Sequence, residues 1–329
     1  MKTIGTEEHF VTADVRAAWD RLGADARANS MPVPTPGELG ERLREVGERR
    51  IAAMDEAGLD VQVLSLPQPG LNNLAPDEAV RLQVQTNDEI AELVRARPDR
   101  FQGFATLATP APEAAARELE RAVTELGLHG ALIFGRTGER NLDHCDNWPI
   151  FEAAEALRAP LYIHPQVSQA PVRAALYSGF EPAIDHGFAS HGIGWHYETG
   201  VQFLRLALGG VLDRFPDLTV ILGHWGEVVL FYLDRADNLS RAAGLPHTFS
   251  EYVLRNAYVT AGGIYSQRYL RWAIEVVGSE RVMFASDYPY RSGPDGGVEY
   301  FLRSAGLDQV DQERVAFGNW EALAAGIRR

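Results

Sequence analysis

Four places in the 329-residue sequence carry side chains able to hold a metal ion or move a proton, and each follows a short apolar run. The first is Gly5-Thr6-Glu7-Glu8-His9-Phe10. Side chains alternate faces along a strand, so Glu7 and His9 point one way and Glu8 the other. A carboxylate and a neutral imidazole on one face are two ligands suited to a borderline divalent cation. Glu8, between them, is expected to take a structural role. The second place is His164-Pro165, behind Leu161-Tyr162-Ile163, and the third is His224-Trp225-Gly226-Glu227, behind Val220-Ile221-Leu222-Gly223. The fourth is Asp287-Tyr288-Pro289-Tyr290, behind Val282-Met283-Phe284-Ala285-Ser286. A lone histidine after a strand is commonly a satisfied structural residue. Convergence of four such ends on one rim is what a functional site requires.

The elements that would position them are a repeating series. Short runs rich in branched apolar residues occupy 3–6, 61–66, 101–107, 130–134, 161–164, 219–224, 257–261 and 282–286. That composition suits parallel strands covered on both faces. Helical patterns lie between and after them at 41–57, 77–97, 112–126, 148–157, 198–214, 229–243, 266–277 and 308–325. Eightfold strand–helix alternation reads as the α/β class, a (β/α)8 barrel in one domain spanning 1–329. Active sites of such barrels lie at the strand C-termini. Two long connections, 24–39 with Pro32, Pro34 and Pro36, and 166–194, follow the first and fifth strands and would hang over that rim. His186, His191 and His196 lie in or after the second and read as loop or pocket-lining residues.

Composition narrows the chemistry. A net charge of −14 argues against nucleic acid and anionic membrane as partners. An anionic small substrate stays compatible, because a pocket's local field can oppose the global sign. The single cysteine, Cys145, leaves no intramolecular disulfide and suits a reducing cytosol, so a cytoplasmic protein is expected. No basic leader followed by an apolar run is visible, and no stretch approaches the roughly 18 apolar residues of a membrane span. Lys2 is the only lysine. Interior Schiff-base chemistry therefore has no candidate, nor does a carbamylated lysine bridging two metals, and a bound metal is expected to be mononuclear.

These motifs, together with Gly47-Glu48-Arg49-Arg50-Ile51-Ala52-Ala53-Met54-Asp55, Arg97-Pro98-Asp99-Arg100-Phe101 and Glu198-Thr199, occur in one order along nearly the whole chain. In that order they resemble the decarboxylase branch of the amidohydrolase superfamily, which includes aminocarboxymuconate-semialdehyde, γ-resorcylate and 5-carboxyvanillate decarboxylases. The resemblance implies that Glu7, His9, His164 and Asp287 hold one Zn2+ or Mn2+. It implies that His224 and Glu227 act beside Asp287 in catalysis and that Tyr290 binds substrate. It also implies that Arg235 binds substrate in a neighbouring subunit's site, within a homodimer or homotetramer. A Glu-x-His start is typical of this branch, whereas hydrolytic members more often begin His-x-His. Glu227 also suits capping of the following helix, and Arg235 also suits an exposed helix charge. The sequence departs from the branch at 32–37, where some aryl-acid decarboxylases carry a substrate-binding arginine. It departs again at 135–140, where the resorcylate enzymes carry an asparagine.

The implied reaction is metal-dependent, non-oxidative decarboxylation of a small hydroxylated aromatic, or related unsaturated, carboxylic acid, with Asp287 protonating the carbon that loses CO2. The rival readings are a mononuclear metal-dependent hydrolase or hydratase of a lactone or unsaturated acid, using metal-bound water, and a barrel acting only as a binding or assembly subunit.

Overall fold

Apolar, branched runs become strands here because both of their faces are covered. The computed structural model describes residues 1–24, 26–27 and 37–329, and Pro32, Pro34 and Pro36 lie outside them. The strands are β1 (Ile4–His9), β2 (Val61–Ser65), β3 (Phe101–Gly103 and Ala105–Thr106), β4 (Ala131–Phe134), β5 (Leu161–His164), β6 (Val220–Leu222), β7 (Ala257–Thr260) and β8 (Val282–Met283). Each pairs in parallel with its neighbour in chain order. β3 passes from β2 to β4 at Phe104, whose N–H donates to Leu64 O at 2.9 Å while Ala105 N–H donates to Gly130 O at 2.8 Å. Between the last strand and the first, Thr6 N–H donates to Phe284 O at 3.1 Å, Asp287 N–H to Glu7 O at 3.0 Å and His9 N–H to Tyr288 O at 2.6 Å. These bonds close the ring as a (β/α)8 barrel and draw β1 against the segment that carries Asp287.

The barrel interior is one apolar cluster that includes Ile4, Val61, Val63, Phe104, Leu132, Tyr162, Ile221 and Met283, with Trp320 from the C-terminal helix (Asn319–Ala325) beneath. A larger cluster lies between sheet and helices. A bulge between Gly5 and Glu8 sets the phase of β1. Strict alternation from the inward-facing Ile4 would turn Thr6 and Glu8 to the axis. The bulge shifts the phase by one residue, so Glu7 and His9 face the axis instead.

The helical patterns hold with adjustments. The expected helix 41–57 is two, Gly37–Arg44 and Glu48–Ala57. The break lets Arg50 donate from Nε to Glu45 O at 3.2 Å and from Nη2 to His9 O at 2.6 Å. The expected helix 198–214 begins earlier, as Gly194–Leu208, and is cut from Val211–Arg214 where Gly210 turns at φ +75°. The connection 166–194 contains short helices Ala170–Leu176 and Pro182–Gly187, neither of which buries a residue. Among the described residues no helix is long and apolar enough to cross a membrane.

At the N-terminal end of β4, His129 is buried beside Trp320, with ring centroids 5.8 Å apart. Burial, and then the Arg329 charge, hold its imidazole down to about 4 from an ordinary 6.5. Between those values the unfolded chain binds the proton and the fold does not. This group's contribution to stability is therefore complete above about pH 6.5 and lost as pH falls toward 4. The loss is on the order of 3 kcal/mol. His129→Gln is expected to flatten this acid limb in urea titrations; an unchanged limb would contradict the assignment.

Candidate metal and proton-transfer site

Glu7 and His9 at the end of β1 meet His164 at the end of β5, with one ligand-type atom from each within 4.8 Å of the others. Glu7 Oε1 lies 3.2 Å from His164 Nε2 and 3.8 Å from His9 Nε2. Asp287 Oδ1 is 3.4 Å from His9 Nε2. The remaining polar atoms of His164, His9 and Glu7 are committed elsewhere. His164 Nδ1 donates to Pro165 O at 2.8 Å, which leaves its Nε2 lone pair free toward the cluster. His9 Nδ1 pairs with Ser65 Oγ at 3.1 Å, and Glu7 Oε2 accepts from the Tyr162 hydroxyl. Among the described residues, Glu7 Oε1 and His9 Nε2 are left fully buried with no hydrogen-bond partner. Two orphaned buried polar atoms facing each other at this separation are costly unless a third species joins them. A carboxylate oxygen and imidazole nitrogens are the donor set that a divalent cation of the Mn2+ or Zn2+ type accepts.

The charges agree with this arrangement. Burial pushes the Glu7 carboxyl up, but His224, His164 and His9 together outweigh it and hold Glu7 well below the usual carboxylate range. Asp287 moves the other way: burial raises it, and the neighbouring Glu7 charge adds to the rise. Asp287 is also the most accessible of the four, at 18% against 0–6% for the others. It faces the cavity.

Beside this cluster, Glu227 uses both carboxylate oxygens. Oε1 accepts from His224 Nδ1 at 2.6 Å and Oε2 from His196 Nδ1 at 2.7 Å. Burial pushes His224 down, but the charges of Glu227, Glu7 and Asp287 raise it to about 10, which favours its imidazolium form. His196 was legible only as a residue after a long loop; 31 positions from Glu227, it carries no local spacing signal. Glu227 does not cap a helix by a side-chain bond.

The backbone here is unusual. His224, Trp225, Glu227, Val228 and Asp287 all have positive φ, between 48° and 61°. Strain of this kind in non-glycine residues collects at functional sites. Gly262 and Gly263 make it possible. A Cβ on Gly262 would fall 2.7 Å from His224 N, and one on Gly263 would fall 2.9 Å from Asp287 Cβ, at φ +48° and +72°.

Glu8 faces outward from the barrel. Its Oε1 accepts from Ser286 N–H at 2.8 Å, its other oxygen accepts from the Ser286 hydroxyl, and Gln62 Nε2 donates to it at 3.1 Å. Gln62 in turn accepts from Arg50 at 3.2 Å. Glu8 thus stitches β1 to the segment just before Asp287.

Above the cluster is a cavity of about 480 Å³, lined by Asp287, His164, His196, His224 and Tyr290 together with apolar Leu39, Pro67, Trp195 and Ile264. His186 and His191 line it too. Burial, then the Asp287 charge, raise the Tyr290 phenol, so it stays a neutral donor. Arg235 is not brought here: it is exposed on the helix Val229–Ala242, outside the cavity of its own chain.

A parallel barrel whose C-terminal rim gathers one carboxylate–imidazole cluster, with a charged His–Glu pair beside it, defines a metal-site α/β barrel enzyme class. Within that class the chain belongs to the amidohydrolase family, whose family model, "Amidohydrolase", matches residues 9–323. It is 33% identical to a gamma-resorcylate decarboxylase of Polaromonas sp. over 97% of both chains. A 5-carboxyvanillate decarboxylase of Novosphingobium aromaticivorans, solved with manganese and 4-hydroxy-3-methoxy-5-nitrobenzoic acid, superposes with TM-score 0.88 at 31% identity, covering 98% of this chain and 96% of that one. A dihydroxybenzoic acid decarboxylase of Polaromonas sp., solved with manganese and 2-nitroresorcinol, superposes with TM-score 0.84 at 32% identity, covering 98% and 97%.

Proposed function

We propose that the chain is a metal-dependent, non-oxidative carboxy-lyase that removes CO2 from a small hydroxylated aromatic acid. The observation that carries this reading is the orphaned pair Glu7 Oε1 and His9 Nε2 beside an Asp287 carboxyl pushed up by burial and facing the cavity. We assign Glu7, His9, His164 and Asp287 to one divalent metal, Mn2+ as in the related structures, with Zn2+ also suited to these donors. When bound, such a cation neutralises the acid's negative charge and fixes the orientation of its ring.

The chain's own groups then do the following. Asp287 gives its proton to the ring carbon bearing the carboxylate. The bond from that carbon to the carboxylate breaks, its electron pair returns to the ring, and CO2 leaves. The Asp287 carboxylate regains a proton from the His224 imidazolium, and Glu227 stabilises His224 in the charged form. Tyr290 donates to a substrate oxygen, and Trp195 and Ile264 exclude water from the ring.

The same proposal covers the assembly. Arg235 shares its helix face with Phe231, 73% exposed, and Leu239, 50% exposed. Such a face suits burial against a second copy, in a homodimer or homotetramer where Arg235 reaches the partner's cavity. A single barrel domain over 1–329 and a cytoplasmic location complete the reading.

The test is product analysis. Mn2+-loaded protein offered 2,6-dihydroxybenzoate and 5-carboxyvanillate is expected to release CO2 from at least one and to leave the corresponding phenol. A ring-opened or hydrated product with no CO2 would replace this reading with the hydrolase or hydratase one.

A further inference from the structure

His196 lines the cavity, yet the proposed reaction gives it no role. Both of its ring nitrogens are engaged. Nε2 accepts from Trp195 Nε1–H at 3.2 Å, and Nδ1 lies 2.7 Å from Glu227 Oε2. An indole N–H only donates, so His196 carries its proton on Nδ1 and donates it to Glu227. Glu227 is fully buried and takes a second N–H at Oε1, from His224 Nδ1 at 2.6 Å. The rings of His196 and His224 stand 4.6 Å apart. Two imidazolium ions at that distance repel, so a neutral His196 leaves the charge to His224.

This placement is built into the packing of one helix. A Cβ on Gly200 would fall 2.3 Å from Glu227 O, so glycine is what lets the helix Gly194–Leu208 seat this closely on the turn that carries Glu227. His196 lies one turn before Gly200 on that helix, which brings its ring to the Glu227 carboxylate. His196, His224 and Glu227 have donor types that suit a metal. Their spacing is that of shared protons instead: both Glu227 oxygens are filled by N–H groups, whereas Glu7 Oε1 has no partner among the described residues.

We propose that His196 is a positioning residue for the reaction: it keeps Glu227 a carboxylate aligned on His224, so that His224 holds its Nδ1 proton toward Glu227 and exchanges only its Nε2 proton with Asp287. The inference rests on the decarboxylase reading and adds a residue to its machinery. Each turnover moves one proton from Asp287 to carbon, and Asp287 takes the replacement from His224. Without the His196 donor, Glu227 Oε2 is a buried carboxylate oxygen with no partner, which favours a proton on Glu227 itself. Glu227 then no longer stabilises the charged His224. The proton already on Asp287 is delivered as before, and its replacement slows.

Leucine and asparagine have nearly the same shape, and only asparagine carries an N–H donor near the Nδ1 position. His196→Leu and His196→Asn therefore share any packing loss and differ in the donor. His196→Ala is a second variant without the donor and with no added branch beside Glu227. Mn2+-loaded parent and variants would be mixed with 2,6-dihydroxybenzoate or 5-carboxyvanillate, and product followed by rapid quench through the first and later turnovers. In His196→Leu and His196→Ala the first turnover is expected near the parent's rate, with steady-state kcat lower on the order of 10- to 100-fold. The signature is a burst of product equal to the number of sites. His196→Asn is expected to recover most of the steady-state rate. Equal kcat in His196→Asn and the variants without the donor, a first turnover as slow as the later ones, or a loss confined to KM would overturn the His196 assignment and leave the decarboxylase reading intact. No CO2 from either acid with the parent would overturn the decarboxylase reading itself, and this inference with it.

Discussion

An Asp287→Asn protein is expected to fold, to retain metal and to lose decarboxylation by about 10³-fold. Asparagine keeps the size of the side chain and one carbonyl oxygen, and Glu7, His9 and His164 remain in place to hold the cation. It has no dissociable proton to give to carbon. Burial, which in Asp287 favours the neutral acid, gives asparagine nothing comparable. The measurements are CO2 release, metal content by emission spectroscopy, and thermal melting to establish the fold. Turnover near the parent rate in a folded, metal-loaded Asp287→Asn protein would remove the proton-donor role. Loss of metal together with activity would instead mark Asp287 as chiefly a ligand.

The second large effect is expected from His164→Ala. His164 Nδ1 is fixed by Pro165 O, so its Nε2 is a preoriented donor 3.2 Å from Glu7 Oε1. Removing it leaves Glu7, Asp287 and His9, a donor set one imidazole short that holds a divalent cation less tightly. Metal content is expected to fall below about a tenth of the parent's, and turnover with it. Stability gives an independent readout. A ligand at about 1,000 times its dissociation constant stabilises the fold by about 4 kcal/mol. Added Mn2+ should therefore raise the melting temperature of the chelator-treated parent and leave that of His164→Ala unmoved. Stoichiometric Mn2+ in His164→Ala would show that the cluster is not the metal site.

Much of the barrel was legible because parallel strands buried on both faces must be apolar along their whole length. Runs such as Val61-Gln62-Val63-Leu64-Ser65 and Val220-Ile221-Leu222 declare themselves. The helices Ala170–Leu176 and Pro182–Gly187 did not, because neither buries an apolar stripe and periodicity has nothing to register. The single helix read over 41–57 failed at Glu45-Val46-Gly47, where hydrogen bonds to Arg50 stabilise a break that no local pattern announces.

At the site, residue types at strand ends could be read, but their mutual geometry could not. Alternation correctly put Glu7 and His9 on one face; only the bulge at Gly5–Glu8 decides that the face is the inner one. His196 joins Glu227 across 31 residues, and Gly262 and Gly263 matter through contacts with His224 and Asp287, which sequence spacing does not encode. The positive φ angles at His224, Trp225, Glu227 and Val228 fall on residues that do not favour them, so they express tertiary constraint rather than propensity. Glu8 was assigned a structural role from its position alone; the partners that give it one, Ser286, Gln62 and through it Arg50, lie far away in the chain.

The most direct measurement is the reaction run in deuterium oxide with Mn2+-loaded protein and an aromatic diacid such as 5-carboxyvanillate. CO2 and phenol should appear in equal amounts, with one deuterium on the carbon that lost the carboxylate and none elsewhere on the ring, and with no reaction after chelation. Consumption of the acid without CO2, or product without deuterium at that carbon, would contradict proton delivery by Asp287 and decarboxylation as the chemistry of this site.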